Sequence, residues 1–270
     1  MTPLTKITDE TELEYYKKKL RTEFETNVRM QSQNIGLWIR YAQWEARLGE
    51  FRRARSVFER AIEIDYKNVS IWLKYAEMEM SNKFINHAWN VWERACSLLP
   101  WVDQFWFKYT YMEEVLGNYD HVREIFNAWM SWEPGEKAWT SFLQFEERHG
   151  SLETCRSVLE WQIDVKPLPE SYIKAARFED QKRNFDRARL FYERCVAELG
   201  SKAYTEEFFL PFTRFEIKAK EYERARVLFK FALDQIPKSQ CLKLFENFVK
   251  FEKQFGTKED MEEIVCNKRR

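Results

Sequence analysis

Large apolar side chains recur along the chain at a period of 33 to 37 residues, and a glutamate directly follows each of them. The pairs are Trp44-Glu45, Met78-Glu79, Met112-Glu113, Phe145-Glu146, Phe178-Glu179, Phe215-Glu216 and Phe251-Glu252. A second large side chain stands six residues before each pair, at Trp38, Trp72, Trp106, Trp139, Tyr172, Phe209 and Phe245. Self-similarity at this period predicts an array in which one supersecondary unit stacks on the next.

The first half of each repeat is predicted to be an amphipathic helix, here named helix A. Within residues 37–48 the apolar side chains recur at spacings of three and four, which places them on one face of a helix. Gly49 follows four residues after Glu45, and the same offset gives Gly117, Gly150 and Gly256. Because glycine adopts positive φ without a Cβ clash, we expect a left-handed stop of helix A at these positions.

The second half of each repeat is predicted to be a further helix, named helix B. Nine residues past each of the first six glutamates stands a small or β-branched residue, followed in most repeats by arginine: Ala54-Arg55, Ala88-Trp89, Val122-Arg123, Cys155-Arg156, Ala188-Arg189 and Ala225-Arg226. Small residues there let helix B approach helix A closely. A proline stands twelve residues further on in four repeats, at Pro100, Pro134, Pro167 and Pro237. Proline cannot continue a helix, so it marks the turn between repeats.

The ends of the array and one internal step are predicted to be irregular. Residues 10–30 match a helix B whose helix A is missing, and Met261 stands where the last repeat should have a small residue. A solenoid end needs a polar cap, and none is evident, so we expect a fragment of a longer array. Pro211 lies inside a predicted helix A, where it should kink the helix or delay its start. Together with the longest period, it suggests an irregular step around residues 198–211.

The pattern thus predicts an all-α, right-handed superhelix, or solenoid, of helix-turn-helix repeats. The predicted repeats are 10–33 (partial), 34–67, 68–101, 102–134, 135–167, 168–204, 205–240 and 241–270 (partial).

Composition and charge narrow the function classes. Lys+Arg and Asp+Glu both number 44, so no global charge excess indicates nucleic acid or a membrane surface. No apolar run reaches the roughly 20 residues that span a bilayer, and the first residues lack a signal-peptide core, which predicts an intracellular protein. The cysteines are widely spaced, which predicts reduced, mostly buried thiols at Cys96, Cys155, Cys195, Cys241 and Cys266.

The sequence carries no recognisable catalytic motif. His87, His121 and His149 stand at repeat-register or helix-end positions, and none has the spacing of a metal ligand. There is neither a glycine-rich phosphate loop nor a nucleophile elbow. We therefore expect a protein that is not an enzyme, with no cofactor, no metal and no small-molecule substrate.

The repeat motif resembles a known class. Trp-x-x-Tyr-x-x-aromatic-Glu followed by Ala-Arg-x-x-aromatic-Glu-Arg-Ala is similar to the half-a-tetratricopeptide (HAT) repeat, whereas a tetratricopeptide would have tyrosine in place of the glutamate. Trp38-Ile-Arg-Tyr-Ala-Gln-Trp-Glu and Phe105-Trp-Phe-Lys-Tyr-Thr-Tyr-Met-Glu-Glu, in particular, resemble the N-terminal repeats of the crooked-neck family of splicing factors. The likeness runs from about Glu14 to the closing Lys268-Arg-Arg. It departs at Trp89, where arginine is expected, and in the weaker fourth repeat.

The resemblance implies a nuclear, non-catalytic scaffold within the nineteen complex of the spliceosome. The implied partners are the Myb-like subunit of that complex and a second HAT-repeat protein, with contact to small nuclear RNA or pre-mRNA left open. The alternatives are a HAT scaffold of the mRNA 3′-end cleavage or ribosomal-RNA maturation machinery, and a direct RNA binder.

The recurring glutamates and arginines are predicted to be structural. A glutamate on the apolar flank of helix A is costly unless paired, and arginine is its natural partner. We therefore expect pairs that fix helix A to helix B rather than a ligand site. The predicted structural positions are Trp38, Glu45, Trp72, Glu79, Trp106, Glu113, Trp139, Glu146, Arg55, Arg123, Arg156, Arg189 and Arg226.

Helix A is predicted to present basic side chains on its outer face. The positions two, five and nine residues after the first aromatic point away from the core, and ten of them are basic whereas one is acidic. The predicted binding residues, named the basic row, are Arg40, Lys74, Lys108, Tyr111, Lys174, Arg177, Arg214 and Lys250. We expect the row to line a concave groove for an acidic or phosphate-bearing partner. An extended protein segment is favoured over RNA, because Tyr111 alone could stack on bases.

Overall fold

The computed structural model describes residues 9–256, and its regular elements are all helical. The described helices are α1 Glu10–Met30, α2 Ile35–Arg47, α3 Phe51–Ile64, α4 Val69–Ser81, α5 Ile85–Leu98, α6 Asp103–Leu116, α7 Tyr119–Met130, α8 Glu136–His149, α9 Leu152–Val165, α10 Pro169–Gln181, α11 Phe185–Leu199, α12 Glu206–Lys218, α13 Tyr222–Gln235 and α14 Leu242–Phe255. Short 3-10 helices span Gly200–Ala203 and Lys238–Gln240. The predicted all-α repeat solenoid is confirmed, while its handedness and repeat boundaries stay predictions.

The chain divides into two compact blocks, the N-terminal block of residues 1–138 and the C-terminal block of residues 139–270. Even-numbered helices have the helix A pattern and odd-numbered helices the helix B pattern. In the N-terminal block, Phe24 of α1 stacks on Tyr41 of α2, with ring centroids 5.0 Å apart and planes 7° apart. Phe58 of α3 stacks on Tyr75 of α4 at 4.9 Å and 6°. The same contact recurs because each B helix packs against the A helix that follows it.

Tryptophans fix the turns that precede the A helices of the N-terminal block. Each indole N–H donates to the backbone carbonyl six residues upstream: Trp38 to Ser32 (2.9 Å), Trp72 to Tyr66 (2.8 Å) and Trp106 to Pro100 (2.9 Å). The three rings are almost fully buried. A buried ring that satisfies a turn carbonyl ties the turn to the core, since an unpaired buried carbonyl is costly. In the C-terminal block, Trp139 is buried without a partner for its N–H among the described residues.

Five of the described A helices end at a residue in the left-handed region. These residues are Gly49 (φ 79°), Lys83 (φ 61°), Gly117 (φ 80°), Arg183 (φ 63°) and Lys220 (φ 64°). The N–H of the following residue donates to the backbone carbonyl of the recurring glutamate, as in Glu50 to Glu45 at 3.0 Å and Phe84 to Glu79 at 2.9 Å. This six-to-one bond is the Schellman arrangement. The left-handed stop at this offset therefore does not require glycine, since lysine and arginine also adopt it.

The predicted left-handed stops at Gly150 and Gly256 are wrong. Neither residue has positive φ, and Gly256 is extended, with φ −92° and ψ 170°. A Cβ at Gly150 would lie 2.0 Å from Oε2 of Glu146, and one at Gly256 would lie 2.1 Å from Oε2 of Glu252. At these two helix ends the buried carboxylate folds back over the glycine. Glycine is required there for space rather than for backbone conformation.

The irregular step lies where the period is longest. The 3-10 helix Gly200–Ala203 follows α11, and Gly200 has φ 52° and ψ −127°. Thr205 then caps α12, and Pro211 lies inside that helix rather than at its start, so the expected delayed start is wrong. The extra residues are accommodated before the helix.

Predictions from the sequence also concern the prolines, the cysteines and membrane-spanning segments. Pro100, Pro134, Pro167 and Pro237 each follow the end of a B helix. Cys96, Cys155, Cys195 and Cys241 are buried, as predicted. Within residues 9–256, no helix is both long and apolar enough to cross a bilayer. Met261, Cys266 and Lys268-Arg-Arg lie outside the described residues.

Candidate functional site

Five of the recurring glutamates of helix A accept hydrogen bonds from an arginine of the preceding repeat. In the N-terminal block, Arg21 of α1 pairs with Glu45 of α2, and Arg55 of α3 pairs with Glu79 of α4. In the C-terminal block the pairs are Arg156–Glu179, Arg189–Glu216 and Arg226–Glu252. Each pair is bidentate, with donor–acceptor distances between 2.7 and 3.1 Å. We name these pairs the A–B ladder.

The A–B ladder joins one repeat to the next rather than the two helices of one repeat. Its five glutamates are at most 1% exposed. The hydrogen bond from Arg156 holds the pKa of Glu179 below its ordinary value, against the opposing effect of burial. The arginines of the A–B ladder thus connect each B helix to the A helix of the following repeat.

Glu113 of α6 receives neutral donors instead of an arginine. Nε1 of Trp89 donates to Oε1 of Glu113, and Nδ2 of Asn118 donates to Oε2 at 2.9 Å. Glu113 is nevertheless completely buried. The ring of Trp89 also packs against His121, with centroids 4.9 Å apart. The departure at Trp89 that the sequence showed thus replaces a charge-assisted bond with an indole N–H bond.

Arg123 and Glu146, which the sequence predicted as structural positions, have surroundings that differ from those of the A–B ladder. Arg123 pairs with the exposed Asp120 on α7, with Nη1 and Oδ1 3.0 Å apart. Glu146 of α8 is 2% exposed, and its carboxylate lies over Gly150.

A second set of ion pairs, which the sequence analysis missed, joins successive B helices. Arg60 of α3 pairs with Glu25 of α1, and Arg94 of α5 pairs with Glu59 of α3. In the C-terminal block, Arg194 of α11 pairs with Glu160 of α9 at 2.7 Å. We name these pairs the B–B ladder. The recurring aromatic-Glu-Arg motif is the signal that could have predicted it, because Glu of one copy and Arg of the next are the two partners.

Each arginine of the B–B ladder also covers an aromatic ring of helix A. Cζ of Arg60 lies 4.9 Å from the ring centroid of Trp38, Cζ of Arg94 lies 5.5 Å from Trp72, and Cζ of Arg194 lies 6.0 Å from Tyr172. In the N-terminal block, the hydroxyls of Tyr41 and Tyr75 donate to Glu25 and Glu59, each at 3.1 Å. The arginine bond is the main cause that lowers the pKa of Glu25 and Glu59. Cation, carboxylate and aromatic ring thus form one cluster at each of these steps.

The basic row lies on the surface. Arg40, Lys74, Lys108 and Tyr111 of the N-terminal block are exposed, as are Arg177, Arg214 and Lys250 of the C-terminal block, whereas Lys174 is half-buried. The ring of Tyr111 is 62% exposed, so it is available to a partner.

Neighbouring acids and hydroxyls engage part of the row. Nζ of Lys74 lies 2.7 Å from Oε2 of Glu77, one turn further on the same helix. Lys174 donates to the hydroxyl of Thr140 at 2.8 Å. No carboxylate among the described residues lies within ion-pair distance of Arg40, Lys108, Arg214 or Lys250. Together with the exposed Arg177, which also has no ion pair in the described part of the chain, these four side chains carry the uncompensated positive charge of the row.

Potential metal-ligating side chains do not cluster in the described part of the chain. No group of three or more His, Cys, Asp or Glu side chains in it is placed to hold a metal ion.

Repeats of helix A and helix B, with a buried glutamate and the Ala-Arg-x-x-aromatic-Glu-Arg-Ala pattern, define a HAT-repeat protein. The family described as "Pre-mRNA-splicing factor Syf1/CRNKL1 C-terminal HAT repeat" matches residues 28–267. The chain belongs to this family.

Curated relatives match over nearly the whole chain. Pre-mRNA-splicing factor clf1 of Aspergillus fumigatus is 46% identical over 268 residues, which cover 99% of this chain and 40% of that protein. Pre-mRNA-splicing factor cwf4 of Schizosaccharomyces pombe is 45% identical, with the same two shares. Protein crooked neck of Drosophila melanogaster is 42% identical over 99% of this chain and 38% of that protein. The chain spans about 40% of the length of the relatives it matches.

Proposed function

We propose that the chain is a non-catalytic scaffold of the pre-mRNA splicing machinery that binds protein partners through the exposed faces of its helices. The observation that carries this proposal is the family match over residues 28–267, together with relatives named as splicing factors. The structure adds a physical reason. The buried charges of the array join successive repeats. The side chains available to bind a partner are therefore the exposed ones.

The buried carboxylates favour a structural over a catalytic role. The glutamates of the A–B ladder each accept a bidentate arginine bond. A carboxylate held this way has both oxygens engaged by one guanidinium. It is poorly suited to exchange a proton with a substrate.

The proposed location is the nucleus and the proposed assembly is the nineteen complex. Its Myb-like subunit and a second HAT-repeat protein are the partners that the crooked-neck resemblance implies. Two relatives are named as pre-mRNA-splicing factors, which supports protein partners from the splicing machinery in general.

The basic row is the proposed binding surface for an acidic, extended protein segment. Arg40, Lys108, Arg214 and Lys250 are exposed, and their charge is uncompensated although the whole chain is neutral. Opposite charge on a partner would be attracted over about 8 Å at physiological ionic strength, so association should weaken as salt rises. RNA is the less favoured partner, because base stacking needs exposed rings and Tyr111 is the one ring of the row.

A competition experiment tests both the function and the surface. Excess purified chain, added to nuclear extract that splices a reporter pre-mRNA, should occupy the scaffold's partners and inhibit splicing. The triple variant Arg40→Glu, Lys108→Glu and Lys250→Glu should lose this inhibition. The matched control Arg52→Glu, Arg187→Glu and Lys253→Glu, which reverses exposed cations outside the row, should keep it.

The outcomes separate the alternatives. Inhibition by both triple variants would remove the row but keep the splicing scaffold. Unchanged splicing with inhibited 3′-end cleavage of the reporter would favour the mRNA 3′-end machinery. Displacement of radiolabelled RNA, rather than of protein, by the unaltered chain would identify a direct RNA binder.

A further inference from the structure

A cleft of about 580 Å³ opens in the C-terminal block between the B helices α11 and α13. Its floor is the A helix α12, and its walls are largely apolar. Among its lining residues are Glu193, Val196, Phe209, Val227, Leu228 and Phe231. Val227 is 65% exposed and Phe231 is 38% exposed, so the cleft is open to solvent. Its volume lies in the range of small-ligand pockets.

An arginine of the B–B ladder fills the equivalent space elsewhere. That arginine stands six residues after the small residue of its B helix, as Arg60 does after Ala54. It pairs with the glutamate of the preceding B helix and covers the first aromatic ring of the A helix between them. The three described instances use Arg60, Arg94 and Arg194.

The sixth repeat has the same acceptor but not the same donors. Glu193 stands in α11 where Glu25 stands in α1, whereas Phe231 takes the place of Arg60. Phe212 takes the place of Tyr41, so the hydroxyl donor is also missing. The nearest cation is Arg224, whose Nη1 lies 3.7 Å from Oε1 of Glu193, and both side chains are more than half exposed. Among the described residues, the carboxylate of Glu193 therefore has one weak, exposed ion-pair partner.

Two other repeats also lack the arginine, but a tryptophan covers the aromatic ring in each. Trp129 lies 6.0 Å from Trp106, with nearly parallel planes. Trp161 lies 5.3 Å from Trp139, edge to face. Phe231 is smaller than tryptophan, and it meets Phe209 at 6.0 Å and 61°. The open cleft thus coincides with the step that has a glutamate but neither an arginine nor a tryptophan.

We propose that the cleft binds an arginine side chain of a partner polypeptide, which takes the place of the missing ladder arginine. The apolar walls and the ring of Phe231 suit the flat face and the aliphatic stem of arginine. Glu193 suits its guanidinium, which donates two parallel bonds to one carboxylate. Arg224 must move aside, which its exposure permits. The cleft would bind a cation, whereas the basic row would bind an anion. This proposal therefore does not depend on the proposed function, and each can be tested without the other.

Titration with a minimal probe tests the proposal. N-acetyl-arginine-N-methylamide is added to the full 270-residue chain with isotopically labelled leucine and valine methyl groups. We expect saturable NMR shifts at Val196, Val227 and Leu228. Val57, which is the counterpart of Leu228 beside the intact Arg60–Glu25 pair, should not move. The citrulline analogue, which has nearly the same shape without the charge, should bind at least about tenfold more weakly.

Two variants decide the outcome. Glu193→Gln should weaken the apparent affinity for the arginine probe about tenfold, because it removes the charged acceptor. Phe231→Arg should abolish the shifts, because it restores the ladder arginine and fills the cleft from within. Its thermal melting shows whether the variant is folded. Equal binding of the citrulline analogue, or undiminished shifts in a folded Phe231→Arg chain, would overturn the proposal.

Discussion

Arg55 and Glu79 belong to different repeats, yet Nε and Nη2 of Arg55 donate to the two oxygens of Glu79 at 2.7 and 2.8 Å. The Glu79 side chain is fully buried, whereas the Arg55 side chain is 20% exposed. Each such pair couples one repeat to the next. The free energy of unfolding should therefore depend on the two residues jointly, and this can be tested by mutating one or both of them.

Removing one partner of this pair should cost more than removing both. Arg55→Met leaves the buried Glu79 carboxylate without its cation, and we expect a loss of about 3 to 5 kcal/mol in the free energy of unfolding. The double variant Arg55→Met and Glu79→Met should be more stable than Arg55→Met alone. Chemical denaturation of Arg55→Met, Glu79→Met and the double variant measures these losses. Strictly additive losses would show that the pair does not act as a unit.

Trp89→Arg should stabilise the chain. Arginine would bring a charged, bidentate donor to Glu113, which is completely buried and now has only neutral donors. We expect a gain of about 1 to 3 kcal/mol. The reverse change, Arg55→Trp, is the matched control and should destabilise. A loss of stability in Trp89→Arg would mean that indole packing on His121 outweighs the charge.

Trp72 has two separable roles. Trp72→Ala removes a fully buried ring and should cost about 3 to 5 kcal/mol. Trp72→Phe keeps an aromatic ring but loses the N–H bond to the carbonyl of Tyr66, and should cost less, about 1 to 2 kcal/mol. Denaturation midpoints of both variants distinguish the roles. Equal losses would assign the whole effect to the hydrogen bond.

The B–B ladder should make stability fall in acid. Arg94 lowers the pKa of Glu59 from its ordinary value of 4.5. A carboxyl group whose pKa is lower in the folded state stabilises the fold above its unfolded pKa, and this contribution is lost as pH falls below about 4.5 through the folded pKa. Glu59→Gln should therefore flatten the acid side of a melting-temperature profile. Arg94→Met should flatten it similarly, and an unchanged profile in both would contradict the assignment.

Much of the fold could be predicted because repetition averages out local exceptions. Seven copies of one pattern fixed the helices, the buried tryptophans and the exposed positions. The stops at Gly150 and Gly256 could not be predicted, because a glycine needed for space has the same letter as one needed for positive φ. Lys83, Arg183 and Lys220 adopt the left-handed conformation, although their residue types give no sign of it in the sequence.

The candidate sites were less predictable than the fold. The sequence identified both members of the A–B ladder but not that they belong to successive repeats, since pairing across repeats is a property of stacking. The residues of the B–B ladder are visible in the aromatic-Glu-Arg motif, but predicting their pairing required the distance between α1 and α3. The cleft at Phe231 is visible only once Arg60 shows what normally fills it.

The direction of the A–B ladder decides where the array can be cut. The sequence pattern suggests modules that start with helix A, for example at Val69, but such a fragment would separate Glu79 from Arg55 and bury an orphaned charge. A fragment that starts with helix B, at Phe51, keeps the pair together. A fragment that keeps its ion pairs intact therefore begins with helix B, half a period away from the start of the repeat that the sequence pattern defines.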